Sequence, residues 1–274
     1  MRIAAAAGSL HEGSPQQWVD RLRAQVRAAA DAGAEAVLLP EYATAPLLAG
    51  DPDWAAWEPL WRETAQACAR DHRLLVVAGT HLVRDAGRVV NRCLLAWPDG
   101  SIDHQDKLHP TPWERGWNVA ATSAVRTFRH AGATLAVAVC YDVEFPEAVR
   151  CMAVAGAEVL LVPSWTDDEH GFWRVRHCAQ ARCIENVVYA VHAPLVGGLG
   201  APAGFEQACG SAGILTPCDI GFHRQGLAAG GGWNQSEVVV ADLDLERLRR
   251  QRQAGTVTPF AVRRGADGYV AAPT

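Results

Sequence analysis

Six apolar runs limit what this chain can fold into, because each is short yet continuous rather than alternating. Five are AEAVLLP (34–40), LLVVAGT (74–80), TLAVAVC (134–140), AEVLLVP (157–163) and VVYAVHA (187–193). The sixth, NRCLLAWPDGS (91–101), closes on a Pro-Asp-Gly turn. Strands of this kind belong to sheets covered on both faces. Helical patterns lie between them. Residues 15–32 carry Trp18, Leu22 and Val26 at four-residue spacing with Arg and Gln between. Residues 146–155 open on a proline, tolerated in a first helical turn, and residues 173–185 form a third helical segment. Strands and helices that alternate in this way define an α/β fold.

Two of the runs echo each other. AGAEAVLLPE (32–41) and AGAEVLLVPS (155–164) align without gaps, each behind a helical segment. Either the chain holds two related α/β halves packed as one domain, or alanine-rich strands resemble each other by chance. No Gly/Ser/Pro-rich linker divides it, so one domain over residues 1–274 is expected, with 242–274 as a C-terminal tail. The glycine-rich stretches GGLGAPAG (197–204) and AAGGGW (228–233) are expected to be surface loops.

With 49% apolar residues the chain has material for a large core, and its net charge of -5 offers no attraction for nucleic acid or an anionic membrane. The basic run Arg247, Arg249, Arg250 and Arg252 is expected to be a solvated helix face. No apolar stretch approaches the roughly 18 residues of a membrane span. MRIAAAAGSL is too soon interrupted by His11 and Glu12 for a secretory signal, so residence in the cytoplasm is expected. The eight cysteines show no CxxC pair, and most are expected to be reduced core residues. His104, His109, His170 and His177 with Cys178 lack metal-ligand spacing, and GGLG lacks the third glycine and helix of a nucleotide fingerprint.

Three residues carry chemistry by position. Cys140 ends an apolar strand, and Asp142, Glu144 and Pro146 follow as if opening a helix, whose positive end would favour thiolate. Taken alone it reads more readily as a buried core cysteine. Glu41, directly after Val37–Pro40, is expected to be partly desolvated, which raises a carboxyl pKa toward a usable base; alone, it is also a plain strand-terminal acid. Lys107 sits in DKLHPTPWE, seven residues before Glu114, where a cation can hold a thiolate or an oxyanion, although a lone loop lysine is ordinarily solvated.

LLPEY (38–42), DKLHPTPWE (106–114) and VCYDVEFPEAVR (139–150), in that order, resemble the three signature blocks of the nitrilase, or carbon–nitrogen hydrolase, superfamily. The resemblance spans nearly the whole chain. It continues through a strand–Pro–Ser–Trp block and a helix ending Arg182-x-x-Glu185-Asn186. It is nearest to a bacterial subgroup sometimes fused to acetyltransferase domains. The resemblance implies a four-layer αββα sandwich and a homodimer packed through the 173–185 helix and the tail. It implies Glu41 as general base, Lys107 as oxyanion-stabilising cation, Cys140 as nucleophile and Glu114 as a positioning glutamate. The Tyr141 backbone N–H would complete the oxyanion hole, and no metal or organic cofactor is required. Trp113 and Trp165 are candidates to line a substrate pocket; core packing is the alternative, and it weighs more for Trp117 and Trp173. Many members carry arginine where this chain has Glu144, a departure that leaves the triad untouched but means their substrates do not carry over to this chain. Cleavage of a small linear amide is the leading expectation. Nitrile hydrolysis, N-carbamoyl amide hydrolysis and a non-catalytic thiol or binding protein are the alternatives.

Overall fold

All six apolar runs contribute strands. The computed structural model describes residues 1–49, 53–199 and 206–264 and arranges them as two sheets with helices outside. Numbered in chain order, the first sheet runs β13 (Val238–Asp242), β1 (Arg2–Ala6), β3 (Ala36–Leu38), β4 (Leu75–Asp85), β5 (Arg88–Ala96), β6 (Ile102–Asp106). The second runs β12 (Leu227–Gly230), β11 (Gly213–Leu215), β10 (Tyr189–Gly197), β9 (Val159–Ser164), β8 (Ala133–Val137), β7 (Phe128–His130). Strand β2 (Gly8–Leu10) comes directly after β1 but pairs with β10, so the first ten residues cross from one sheet to the other.

The alternation of side chains explains the layers. Ile3, Ala5, Leu38, Leu75 and Val77 face the second sheet and pack with Leu135, Val137, Leu161 and Val191. Ala4, Ala6, Val37, Leu39, Val76 and Ala78 point the other way, onto α1 (Pro15–Asp31) and α2 (Glu58–His72). Both faces are therefore dry, which is why the runs are continuous rather than alternating. After the short α3 (Pro112–Gly116), α4 (Pro146–Val154) and α5 (Glu169–Asn186) cover the second sheet through Val149, Met152, Val175, Ala179 and Cys183. The four layers are those of an αββα sandwich.

The sequence echo is structural. β3 is the middle of three parallel strands, β1–β3–β4, and β9 the middle of β8–β9–β10. Each comes after its own helix, α1 or α4. Helix α5 starts four residues before the expected 173 because Asp168 caps it, accepting from the Gly171 N–H at 2.6 Å. The basic run is for the most part the solvated face expected of it. It lies on α6 (Leu245–Ala254), where Arg247, Arg249 and Arg250 are exposed, Arg249 pairing with Glu158 at 2.6 Å, and only Arg252 is half-buried, donating to the Val187 carbonyl at 2.8 Å. Leu245 and Leu248 join the inter-sheet core, so the segment after 242 is anchored, and residues 265–274 lie outside the described residues. Of the two glycine-rich stretches, AAGGGW begins inside edge strand β12 rather than in a loop, and residues 200–204 of the other lie outside the described residues.

One glycine ties β4 to the segment that leaves β3. The β4–β5 register shifts between Val77 and Thr80, and Gly79 within that bulge has φ +66°. A β-carbon there would collide with the Pro40 carbonyl, which accepts the Thr80 N–H. Gly79→Ala is expected to lower stability by roughly 2 kcal/mol or more through clash and strain. An unchanged urea midpoint would show that the bulge yields freely.

Candidate active site

Glu41, Lys107, Glu114 and Cys140 come from four separate segments and converge at one point. Glu41 lies after β3, Lys107 after β6, and Cys140 after β8. Glu114 is the third residue of α3, fixed by a reciprocal cap in which the Thr111 hydroxyl accepts the Glu114 N–H and the Glu114 carboxylate accepts the Thr111 N–H. Cys140 has φ 46° and Tyr42, next to Glu41, φ 52°. Side chains rarely adopt this left-handed conformation, and its cost concentrates at functional sites.

The Lys107 ammonium joins the two acids. Its Nζ lies 2.7 Å from Glu41 Oε1 and 2.6 Å from Glu114 Oε2, with all three side chains buried. Asn91 Nδ2 bridges the same pair, donating to Glu41 Oε1 at 3.0 Å and Glu114 Oε1 at 2.8 Å. The Tyr42 hydroxyl donates to Glu114 Oε1 at 2.6 Å. The Trp165 peptide faces the site with both its groups: its N–H donates to Glu41 Oε2 at 3.0 Å, and its carbonyl accepts the Cys140 thiol at 3.4 Å.

The turn bearing Cys140 is clamped from two sides. Cys140–Glu144 form a 3-10 turn. The buried Asp142 carboxylate accepts the N–H groups of Leu108 (3.1 Å), His109 (2.8 Å) and Val139 (3.2 Å), locking the Lys107 segment to the thiol. From α5, Arg182 donates to the carbonyls of Val143 at 2.9 Å and Glu144 at 3.0 Å. Glu185 and Asn186 hold Arg182 in turn, at 3.1 Å from its Nη1 and from its carbonyl. The Arg-x-x-Glu-Asn signature is thus the brace of the cysteine turn.

The two glutamates titrate in opposite directions. Burial raises Glu41, with the charge of Glu114 adding and Lys107 opposing. Burial pushes Glu114 up as well, but Lys107 and the hydrogen bonds from Lys107, Tyr42 and Thr111 outweigh it and hold Glu114 below the usual range. Burial works against the Lys107 charge, yet Glu41 and Glu114 overcome it and raise its pKa. Burial and the Glu41 charge push Cys140 well up, against the pull of Lys107. This corrects the expectation of a thiolate favoured by a helix end. Helix α4 begins only at Pro146, and the thiol sits instead in a dry pocket beside a carboxylate.

A cleft of about 740 Å³ opens over this group, with Tyr141, Trp113 and Trp165 among its lining. The first N–H groups of a helical turn have no partner within it, and Tyr141 is the second residue of the cysteine turn. Trp117 packs on Trp113 with ring centroids 3.9 Å apart, behind the lining. Trp173 stacks on Trp233 and His177 and is not among the lining residues. Sequence reading missed Asn91 and Tyr42 as partners of the acids. Asn91 looks like an ordinary strand residue, and Tyr42 merely adjoins a motif glutamate.

The carbon–nitrogen hydrolase family profile matches residues 2–253, and the chain belongs to that family. It is 40% identical over 190 residues to the probable hydrolase YhcX of Bacillus subtilis, covering 69% of this chain and 37% of that protein, so the match spans little more than a third of that relative's length. It is 31% identical over 200 residues to the (R)-stereoselective amidase of Pseudomonas sp, covering 72% and 68%. The fold matches an amidase from Nesterenkonia sp. AN1 that carries the acetamide moiety of fluoroacetamide on its active-site cysteine, with TM-score 0.78 and 22% identity over 96% of this chain and 94% of that one.

The lowered Glu114 pKa gives a pH test. Such a carboxylate adds stability that is fully present above its unfolded value and is lost as pH falls through its lower folded value. Glu114→Gln should therefore be less stable than the parent near pH 7, and the gap should narrow below about pH 4.3, the ordinary glutamate value. Urea midpoints that keep a constant gap at all pH would contradict the lowering.

Proposed function

We propose that this carbon–nitrogen hydrolase cleaves a small linear amide through a thioester on Cys140. The carrying observation is one buried ammonium shared by two carboxylates beside a thiol, at the floor of a cleft. Glu41 takes the thiol proton and the sulfur attacks the amide carbon. The oxyanion is held by Lys107, whose third N–H is not taken by the two glutamates, and by the Tyr141 N–H. The tetrahedral adduct collapses, and the leaving ammonia, or amine, departs with the proton from Glu41. Water then gives its proton to Glu41 and attacks the thioester. The carboxylic acid leaves and the proton returns to sulfur. Glu114 positions Lys107. A pKa raised by burial suits Glu41 to accept and return a proton near neutrality, and the lowered Glu114 stays charged throughout.

We place the enzyme in the cytoplasm, in keeping with eight free cysteines, and as a homodimer. The dimer is supported by apolar side chains left exposed on and beside α5: Trp173 (46%), Ile184 (43%) and Trp233 (37%). Among the described residues no helix is long and apolar enough to cross a membrane. Light scattering at micromolar concentration should give twice the chain mass, and a monomer would count against the assembly.

Ammonia release across small amides, N-carbamoyl amino acids and matched nitriles tests the reaction. Amides should turn over, and nitriles turning over faster would make the enzyme a nitrilase. Cys140→Ala and Cys140→Ser should abolish turnover while the protein stays folded. Glu41→Gln should lose roughly 10²-fold or more in kcat, the scale of general-base contributions, together with the rate of Cys140 labelling by iodoacetamide. Glu114→Gln should lose turnover but keep labelling nearer the parent rate, because Glu41 still stands beside the thiol. The reverse pattern would exchange the two roles.

A further inference from the structure

The charges that line the cleft have a lopsided sign. It holds two cations, Lys107 and Arg174, against five carboxylates. Both cations are already engaged. Lys107 is shared between Glu41 and Glu114, and Arg174 Nε lies 2.9 Å from Glu144 Oε1. Glu144 ends the turn that Cys140 begins, at the position where the resembling family often has arginine, and here it occupies Arg174. Asp167 and Glu206 complete the lining, exposed and in no ion pair among the described residues. The next two residues after Asp167, Asp168 and Glu169, add negative charge at the start of α5.

The walls agree with that sign. Trp113 and Trp165 stand with ring centroids 5.0 Å apart, and Tyr42 meets each edge-on at 6.1 Å. Aromatic faces attract ammonium and guanidinium groups and offer nothing to a carboxylate. A cleft of one sign with low-dielectric walls also concentrates ligands of the opposite charge and repels its own.

We infer that the cleft selects amides that carry a cationic group, an ammonium or guanidinium, on the part retained in the enzyme, and turns away the monoamides of dicarboxylic acids. Among the described residues of the lining, a substrate carboxylate would find each cation already paired, and would have to share Arg174 with Glu144 or Lys107 with two glutamates. A substrate ammonium meets Asp167 and Glu206 in an aromatic-lined cleft. The inference rests on the amide-hydrolase reading for its substrate class, while the sign of the cleft stands without it.

The decisive comparison uses three amides of equal spacing: γ-aminobutyramide (cationic), valeramide (neutral) and glutaramate (anionic). At low ionic strength kcat/KM should fall in that order, with the cation favoured over the anion by roughly tenfold or more, and added salt should compress the spread. The double variant Asp167→Asn, Glu206→Gln should reduce the cation-to-anion ratio. Glutaramate turned over as well as or better than γ-aminobutyramide overturns the inference and leaves the amidase reading intact. A second measurement needs no turnover. Alkylation of Cys140 by bromoethylamine, iodoacetamide and iodoacetate is monitored at the Cys140 peptide, each rate divided by that of the same reagent with N-acetylcysteine. The same order is expected. If none of the amides is cleaved but this order holds, the amidase reading falls and the cationic selectivity stands; an iodoacetate rate equal to or above the others overturns the selectivity.

Discussion

Everything at the site depends on burying one ammonium. Lys107 is 2% exposed, and taking a cation out of water costs several kcal/mol unless partners replace the solvent. Glu41 and Glu114 replace it, but each is itself buried and needs partners of its own. Asn91 on β5 serves both, Tyr42 and Thr111 serve Glu114, and the Trp165 peptide serves Glu41. The requirement spreads outward until it involves the ends of β3, β6 and β9, the middle of β5 and the first turn of α3. Removing one partner from such a network leaves a buried charge uncompensated, a loss of about 3–5 kcal/mol. The network therefore fixes the sandwich at its reactive end as firmly as the apolar core fixes the middle.

The fold was legible because burial on both faces leaves a simple trace. Strands between two dry layers must be apolar at every position, so the runs at 34–40, 74–80 and 157–163 mark β3, β4 and β9 without any periodicity. The cap of α1, where Ser14 ahead of Pro15 and Gln17 in the first turn bond reciprocally, is equally local, although only the helix itself was read from the sequence. Edge elements left no such trace. β12, with sequence LAAG, has the composition of a loop and becomes a strand only because β11 presents it with a ladder. The arginines of α6 read as a solvated face in sequence and mostly form one; the partners that hold two of them, Glu158 for Arg249 and the Val187 carbonyl for Arg252, come from elsewhere in the chain and left no local sign.

The site divides in the same way. Glu41, Lys107, Glu114 and Cys140 were found as members of motifs, and the structure brings all four together. What the motifs could not convey was protonation. A cysteine at a strand exit with acids and a proline after it reads as a helix-activated thiolate. The thiol in fact begins a 3-10 turn, is 5% exposed, and feels the Glu41 carboxylate more strongly than the Lys107 cation. Three-dimensional burial, which a linear sequence does not report, reverses the sign of the shift.

That reversal bears on how the proposed chemistry is controlled. A resting thiolate would be open to any electrophile that reached the cleft, whereas a thiol held neutral beside Glu41 becomes nucleophilic only as its proton leaves. The scaffold around the site also contains neutral polar pairs. Behind Tyr42, the Thr44 hydroxyl meets His81 Nδ1 at 2.6 Å, and behind Trp165, the Ser164 hydroxyl meets His192 Nε2 at 2.6 Å. Burial lowers His81 to about 4 and His192 well below its ordinary value, so both rings are uncharged at neutral pH. Each half thus contributes an uncharged hydroxyl–imidazole pair, at positions that the repeat does not align. Next to the thiol, Lys107 stands as one cation between two acids, Glu41 and Glu114, and in the proposed reaction the proton that leaves sulfur is taken up by Glu41. Where the first half has Glu41 the second contributes Ser164, so the proposed proton acceptor comes from one half only, and that difference lets two otherwise similar halves build a single asymmetric site.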